Sequence, residues 1–266
     1  MGERPESRPH VSSNRLRLLV TGAGGLLGGR LAELLAGGMS VVAAVNRSAA
    51  PPGLDVVHLD LLDASAVESA LDRVRPDAVL HSAALADADR CQREPELAAR
   101  VNAGIPALLA RTCRRRSLRL VALSTDLVFP GTRAWSDEGE TPRPRLHYAR
   151  TKLEGEQAAL AEHPQAAVMR VALVCGRGHG PRGSATESMA WALRAGRRLR
   201  LFGDQYRTPV DAESVAAAAA ALLRGQENGV FHVGGPERVS RHQLGLRVAA
   251  ALGLDAGLIE EARQAD

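Results

Sequence analysis

The sequence predicts an α/β protein built on a doubly wound parallel sheet, with a smaller C-terminal region, and three observations carry that prediction. Residues 16–20 form a short apolar strand that runs straight into glycines at 22, 25 and 28. A helix with the apolar stripe Leu27, Leu31, Leu34 and Leu35 follows at once. Strand and helix signals then alternate along the chain, the pattern of a parallel sheet covered on both faces. The chain's single lysine, Lys152, stands four residues after Tyr148, one of two tyrosines.

The elements can be justified in order. In TGAGGLLGG, Gly22 allows a tight turn, Gly25 lets backbone N–H groups approach a pyrophosphate, and Gly28 lets the helix pack closely on the sheet. The helix N-terminus, at Leu26 and Leu27, then faces the phosphates of a dinucleotide. This is the Rossmann arrangement, although the spacing is Gly-x-x-Gly-x-x-Gly. Further strands are predicted at 41–45, 56–59, 78–80, 119–123 and 167–174, and helices at 64–74, 95–115 and 147–161. Val67, Leu71 and Val74 keep a helical stripe in the first of these helices. Ligands of such sheets gather at the carboxyl ends of the strands.

Those strand ends carry informative residues. The second ends in Asn46 and Arg47, where an NAD site usually places an acid against the ribose hydroxyls. Arginine there accommodates a ribose phosphate, so NADP(H) is favoured over NAD(H). Asp60 and Leu61 are offered to the adenine, and Ala83 and Ala84 let backbone approach the cofactor. Three helices are expected in the last third, at 184–195, 211–223 and 241–252, the middle one alanine-rich. The chain thus divides into a disordered tail at 1–15, a nucleotide-binding domain at 16–175, and a mainly substrate-binding region at 176–266. Within the last, 203–232 packs back on the first domain.

Composition narrows the function classes. At 266 residues and 45% hydrophobic content the chain can bury a full core, and with 3% aromatics that core must be Val, Leu and Ala. The first fifteen residues lack the apolar stretch of a signal peptide, and no segment reaches the length of a membrane span. The three cysteines, Cys91, Cys113 and Cys175, share no metal-like spacing and imply reduced thiols in a cytoplasmic protein. No metal site is expected. The net charge is +4, but its densest run, at 111–120, sits where a helix ends before a strand and complements the helix dipole. It has no interleaved aromatics, so no nucleic-acid partner is expected. A second arginine group, Arg194, Arg197, Arg198, Arg200 and Arg207 with Arg177 and Arg182, could meet the diphosphate of a nucleotide-linked substrate.

The lysine is the sharpest signal. Set against 33 arginines, it marks a position where a guanidinium will not serve. Residues i and i+4 share a helix face, so phenol and ammonium project side by side. A neighbouring ammonium lowers a phenol pKa from about 10, so Tyr148 is expected to exchange a proton near neutral pH.

Together TGAGGLLG, HSAA, STDLVFPG, YARTK and DQYRTPVDAESVA resemble the extended short-chain dehydrogenase/reductase family, and within it the dTDP-4-dehydrorhamnose reductase-like branch of sugar-nucleotide reductases. The resemblance runs from about Leu16 to about Gly253. It implies NADPH-dependent reduction of a keto group on a nucleotide-linked 4-keto-6-deoxy sugar. Thr125, or its neighbour Ser124, would hydrogen-bond the substrate carbonyl, Tyr148 would donate the proton, and Lys152 would hold the nicotinamide ribose and tune Tyr148. Asn102 matches a family asparagine near the site, and a helix-bracing asparagine would look the same. Phe129, Arg177, Tyr206 and Arg207 are the candidate substrate contacts, and a homodimer is compatible with the family. Two positions depart from the branch: Leu127 and Leu173 stand where it usually has aromatics that meet the sugar. A non-catalytic NADP-binding regulatory subunit, or a nucleotide-sugar epimerase or dehydratase, are the alternatives.

Overall fold

The computed structural model describes residues 15–181 and 183–264, so the expectations for nearly all of the N-terminal tail and for Arg182 lie outside the described residues. The first half runs β1 (Arg17–Thr21), α1 (Leu26–Leu35), β2 (Ser40–Val45), β3 (Asp55–His58), α2 (Ala64–Val74), β4 (Ala78–His81), α3 (Ala88–Arg93), α4 (Pro95–Ala99) and α5 (Ile105–Arg115). After these come β5 (Arg119–Thr125), α6 (His147–Glu162), β6 (Ala167–Val171), β7 (Val174–Cys175), α7 (Ala185–Arg194), β8 (Leu199–Phe202), β9 (Tyr206–Arg207) and β10 (Val210–Asp211). The chain closes with α8 (Ala212–Arg224), β11 (Gly229–Val233), β12 (Val239–Ser240), α9 (Arg241–Leu252) and β13 (Ile259–Ala262).

Seven strands form one sheet in the order β11-β6-β5-β4-β1-β2-β3, and every neighbouring pair is parallel. The predicted doubly wound α/β fold is therefore the one formed. Alternate residues of β1 and β4 feed opposite cores. Leu18, Val20 and Leu80 pack with Leu31 and Leu35 of α1 and Val215 and Leu222 of α8, while Leu19 and Val79 pack with Val67 and Leu71 of α2 and Leu109 of α5. A third, smaller core joins Met189 and Leu193 of α7, Leu201 of β8, Leu244 and Val248 of α9, and Ile259 of β13. Capping boxes at Ser184 and Ser240 start the two helices of that smaller unit.

Four expectations are corrected. The helix predicted across 95–115 is broken into α4 and α5 by a π-helical turn at Arg100–Gly104, where the Ile105 N–H reaches back to the Arg100 carbonyl. Pro106 has no N–H to return to Asn102, which leaves that carbonyl outside the α-helical ladder. α3 lay unpredicted before them because its six residues are mostly polar. The strand predicted over 167–174 leaves the sheet after Val171, and Val174 pairs instead with Val210. β11, a seventh strand too short to be read as an element in the sequence, pairs with β6 at the edge of the sheet.

Candidate active site

The carboxyl ends of β1, β2, β4 and β5 meet the N-termini of α1 and α6. At the first of these, Gly22 has φ 72°, and a Cβ there would lie 2.5 Å from the Ala83 nitrogen. Gly28 is equally confined, its Cβ position lying 2.4 Å from the Gly22 carbonyl oxygen. The α1 N-cap, Gly25, offers no side-chain acceptor and the first turn holds no acid, so its leading N–H groups are left for an anion. This turn fits the diphosphate of a dinucleotide. Asn46 and Arg47 stand exposed just past β2, and Ala83 and Ala84 follow β4 on the loop that faces Gly22. Asp60 accepts the Leu62 N–H at 3.0 Å and shapes its own turn, with Leu61 half buried between them.

The catalytic candidates converge at the end of β5. Lys152, 6% exposed, donates from Nζ to the Leu123 carbonyl at 2.7 Å. Ser124 donates its hydroxyl to Glu156, one turn beyond Lys152 on α6. The Thr125 hydroxyl oxygen accepts the Leu127 N–H at 3.2 Å, while its own proton has the Tyr148 phenol beside it and a long contact, 3.4 Å, to Asp126. Of the two hydroxyls left open by the sequence, that of Thr125 stands beside the Tyr148 phenol, where both can meet one substrate carbonyl, and that of Ser124 is held by Glu156.

Tyr148 departs from expectation. Burial, followed by the Asp126 carboxylate, pushes its phenol up to about 12, while a hydrogen bond with Thr125 and the Arg207 guanidinium pull the other way. Burial, not the expected Lys152 charge, dominates the phenol, and that ammonium donates to the Leu123 carbonyl. Lys152 is itself brought down to about 8 by burial, against the opposing pull of Glu156. The phenol therefore keeps its proton at neutral pH, as a donor must.

Asn102 is fully buried and wholly committed to the protein. Its side chain accepts the Leu85 N–H at 2.8 Å and donates to the Leu85 carbonyl and the Thr151 hydroxyl at 3.1 Å each. It braces the loop after β4 against α6 rather than reaching for a ligand. Arg177 is exposed, and the residues that follow it, Gly178 and His179, pack on Leu26 and Gly29 of α1.

Arg207 reaches from β9 to the catalytic strand end and pairs with both oxygens of Asp126, at 3.0 and 2.6 Å. Tyr206, 42% exposed, lies beneath the Arg238 guanidinium, 3.5 Å from its ring centroid. Phe129 meets the His232 ring edge-on at 5.4 Å and the Arg170 guanidinium at 5.2 Å. Three residues went unread in the sequence. Arg241 stands near Arg207 and is lowered by burial and then by that like charge. Glu156 is buried against Arg170. His81 is 1% exposed, holds the Thr21 hydroxyl at 2.8 Å through Nδ1, leaves Nε2 without a partner, and is pushed down to about 3 by burial and the Lys152 charge. The His in HSAA and the Glu in KLEGE were visible, but nothing in one sequence says that such side chains are buried.

Among the described residues no group of three His, Cys, Asp or Glu side chains is arranged to hold a metal, and no helix is long and apolar enough to cross a membrane. The model of a family described as the RmlD substrate binding domain matches residues 16–265. A relative from Haloferax volcanii, the probable low-salt glycan biosynthesis reductase Agl14, is 34% identical over 93% of this chain and 84% of its own. A dTDP-4-keto-6-deoxy-D-glucose reductase from Streptomyces niveus is 34% identical over 91% of this chain and 81% of its own. Among solved structures, a hypothetical dTDP-4-dehydrorhamnose reductase from Sulfolobus tokodaii superposes with a TM-score of 0.83 at 30% identity, over 94% of this chain and 86% of that one.

Proposed function

The chain belongs to the RmlD family, a branch of the extended short-chain dehydrogenases/reductases, and from that premise we propose that it is an NADPH-dependent ketoreductase of a nucleotide-linked 4-keto-6-deoxy sugar. The observation that carries this reading is the convergence of Thr125, Tyr148 and Lys152 at the end of β5, beside a glycine turn whose N–H groups suit a diphosphate. The bound cofactor would supply the hydride. Tyr148, protonated at neutral pH, donates the proton to the carbonyl oxygen, and Thr125 turns its hydroxyl onto the same oxygen. Lys152 holds the cofactor ribose from a fixed position on the Leu123 carbonyl.

Gly22, Gly25, Leu26 and Leu27 hold the diphosphate, and Asp60, Leu61, Ala83 and Ala84 flank the adenosine half. Asn46 and Arg47 select the ribose phosphate. Phe129, Tyr206 and Arg207, with Arg241 beside Arg207, line the substrate side, and two arginines so close invite a diphosphate. In this division residues 16–175 bind the cofactor and 176–266 mainly the substrate, with α8 and β11 returning to the first unit.

The test is NADPH oxidation against a panel of nucleotide-linked 4-keto sugars, run beside Tyr148→Phe. The unaltered protein turns over at least one of them, and the variant binds cofactor normally yet reduces none. Cofactor binding without turnover on any sugar would assign the chain to the regulatory alternative. Arg47→Ala is expected to remove most of the preference for NADPH over NADH, and equal affinities in the unaltered protein would refute the cofactor assignment.

A further inference from the structure

Resting on the reductase reading, we propose that Glu156 is a positioning residue: bridged to Arg170, it pins the catalytic end of β5 to α6 and keeps Lys152 charged. Glu156 and Arg170 are 3% and 6% exposed in their side chains, so both ions are inside the protein. Both carboxylate oxygens accept from Arg170, at 2.7 to 3.1 Å, and one also accepts from Ser124. Removing two charges from water is rarely repaid by their attraction alone, so a buried pair of this kind is poor evidence of a stabilising device.

Its position suggests another use. Three successive residues of the catalytic strand end are tied in different ways: Leu123 by its carbonyl to Lys152, Ser124 by its hydroxyl to Glu156, and Thr125 to the turn that follows. Lys152 and Glu156 line one narrow gap, together with Ser124 and Asn102, and no direct ion pair joins them. The titratable groups around this end are Tyr148 and Glu156 on α6, His81 on β4, Arg170 on β6, and Asp126, Cys91 and Arg207 of β9 near Tyr148. Tyr148 and His81 are both uncharged at neutral pH. The charge that acts on Lys152 is the Glu156 carboxylate, one turn along α6 on the same gap, and Arg170, bonded to both of its oxygens, moderates it. Arg170 also touches His232 at 3.4 Å and covers Phe129, which carries the same network to the substrate side.

Because Lys152 is the only lysine, protein grown on lysine labelled at Cε gives a single side-chain resonance whose titration reads this group directly, with no need for turnover. Glu156→Gln keeps the size and part of the hydrogen bonding but removes the charge, and the Lys152 midpoint should fall by about one pH unit. Arg170→Gln leaves the carboxylate unmoderated, and the midpoint should rise. Reductase activity should follow, the alkaline limb of kcat/KM moving down in the first variant and up in the second. A purely structural pair would weaken both variants without shifts of opposite sign. Midpoints unchanged, or moving together, would overturn the proposal, and if Glu156→Gln does not fold, the direction in Arg170→Gln decides alone. Opposite shifts in a protein that reduces no sugar would leave the electrostatic role standing and defeat only the functional reading.

Discussion

At the scale of single residues, neighbouring hydroxyls divide their work according to what holds them. Ser124 and Thr125 are adjacent in STD, and a strand points successive side chains to opposite faces. Ser124 gives its proton to Glu156 in the middle of α6, whereas Thr125 lies beside the Tyr148 phenol at the start of that helix. Thr125→Val is therefore expected to lower turnover by about 10²-fold or more, since a carbonyl donor is lost, with only a small fall in melting temperature from the Leu127 N–H that loses its acceptor. Ser124→Ala should do the reverse, costing stability through the Glu156 carboxylate before it costs chemistry. Steady-state kinetics paired with thermal melts on both variants would check this, and a Ser124→Ala loss as large as that of Thr125→Val would reverse the assignment.

At the scale of elements, the catalytic helix is set by its closeness to a defect in its neighbour. The π-helical turn at Arg100–Gly104 faces α6, and a Cβ on Gly155 would stand 2.1 Å from the Asn102 carbonyl oxygen. Backbone cannot yield as a flexible side chain can, so α6 would have to shift, and Tyr148, Lys152 and Glu156 ride on that helix. Gly155→Ala gains helix propensity but should destabilise the protein by about 1–3 kcal/mol through overpacking. It should also reduce activity beyond what the melt explains. A variant with unchanged melting and kinetics would show that the approach is looser than the structure has it.

At the scale of the whole molecule, the buried end of β4 couples folding to pH. His81 is neutral when folded, with its pKa brought from the ordinary value of 6.5 to about 3. Between those values the unfolded chain binds more protons than the folded one, so stability is full above about 6.5 and is lost as pH falls. The loss reaches on the order of a few kcal/mol at the acid end of that window. Melting temperature should decline from pH 6.5 to 4, and His81→Asn should flatten the decline. Equal slopes in the two proteins would place the acid sensitivity elsewhere. A second long-range tie, from Arg207 to Asp126, joins the C-terminal third to the catalytic strand end, so that region is fastened to the site itself.

The sequence by itself determined the frame of this protein. Glycines at 22, 25 and 28, alternating strands and helices, and a lone lysine four residues after a tyrosine are local patterns, and local patterns follow from backbone sterics and periodicity. They located the glycine turn and its helix, the parallel sheet and the residues at the end of β5. Only the tertiary structure decided what each group does there. Burial and the choice of partner are properties of chains brought together from distant positions, and these set Tyr148 upward instead of downward, turned Asn102 into a brace and enclosed Glu156 with Arg170. A pKa or a free hydroxyl depends on what desolvates and surrounds it, and that is written in the fold rather than in the spacing.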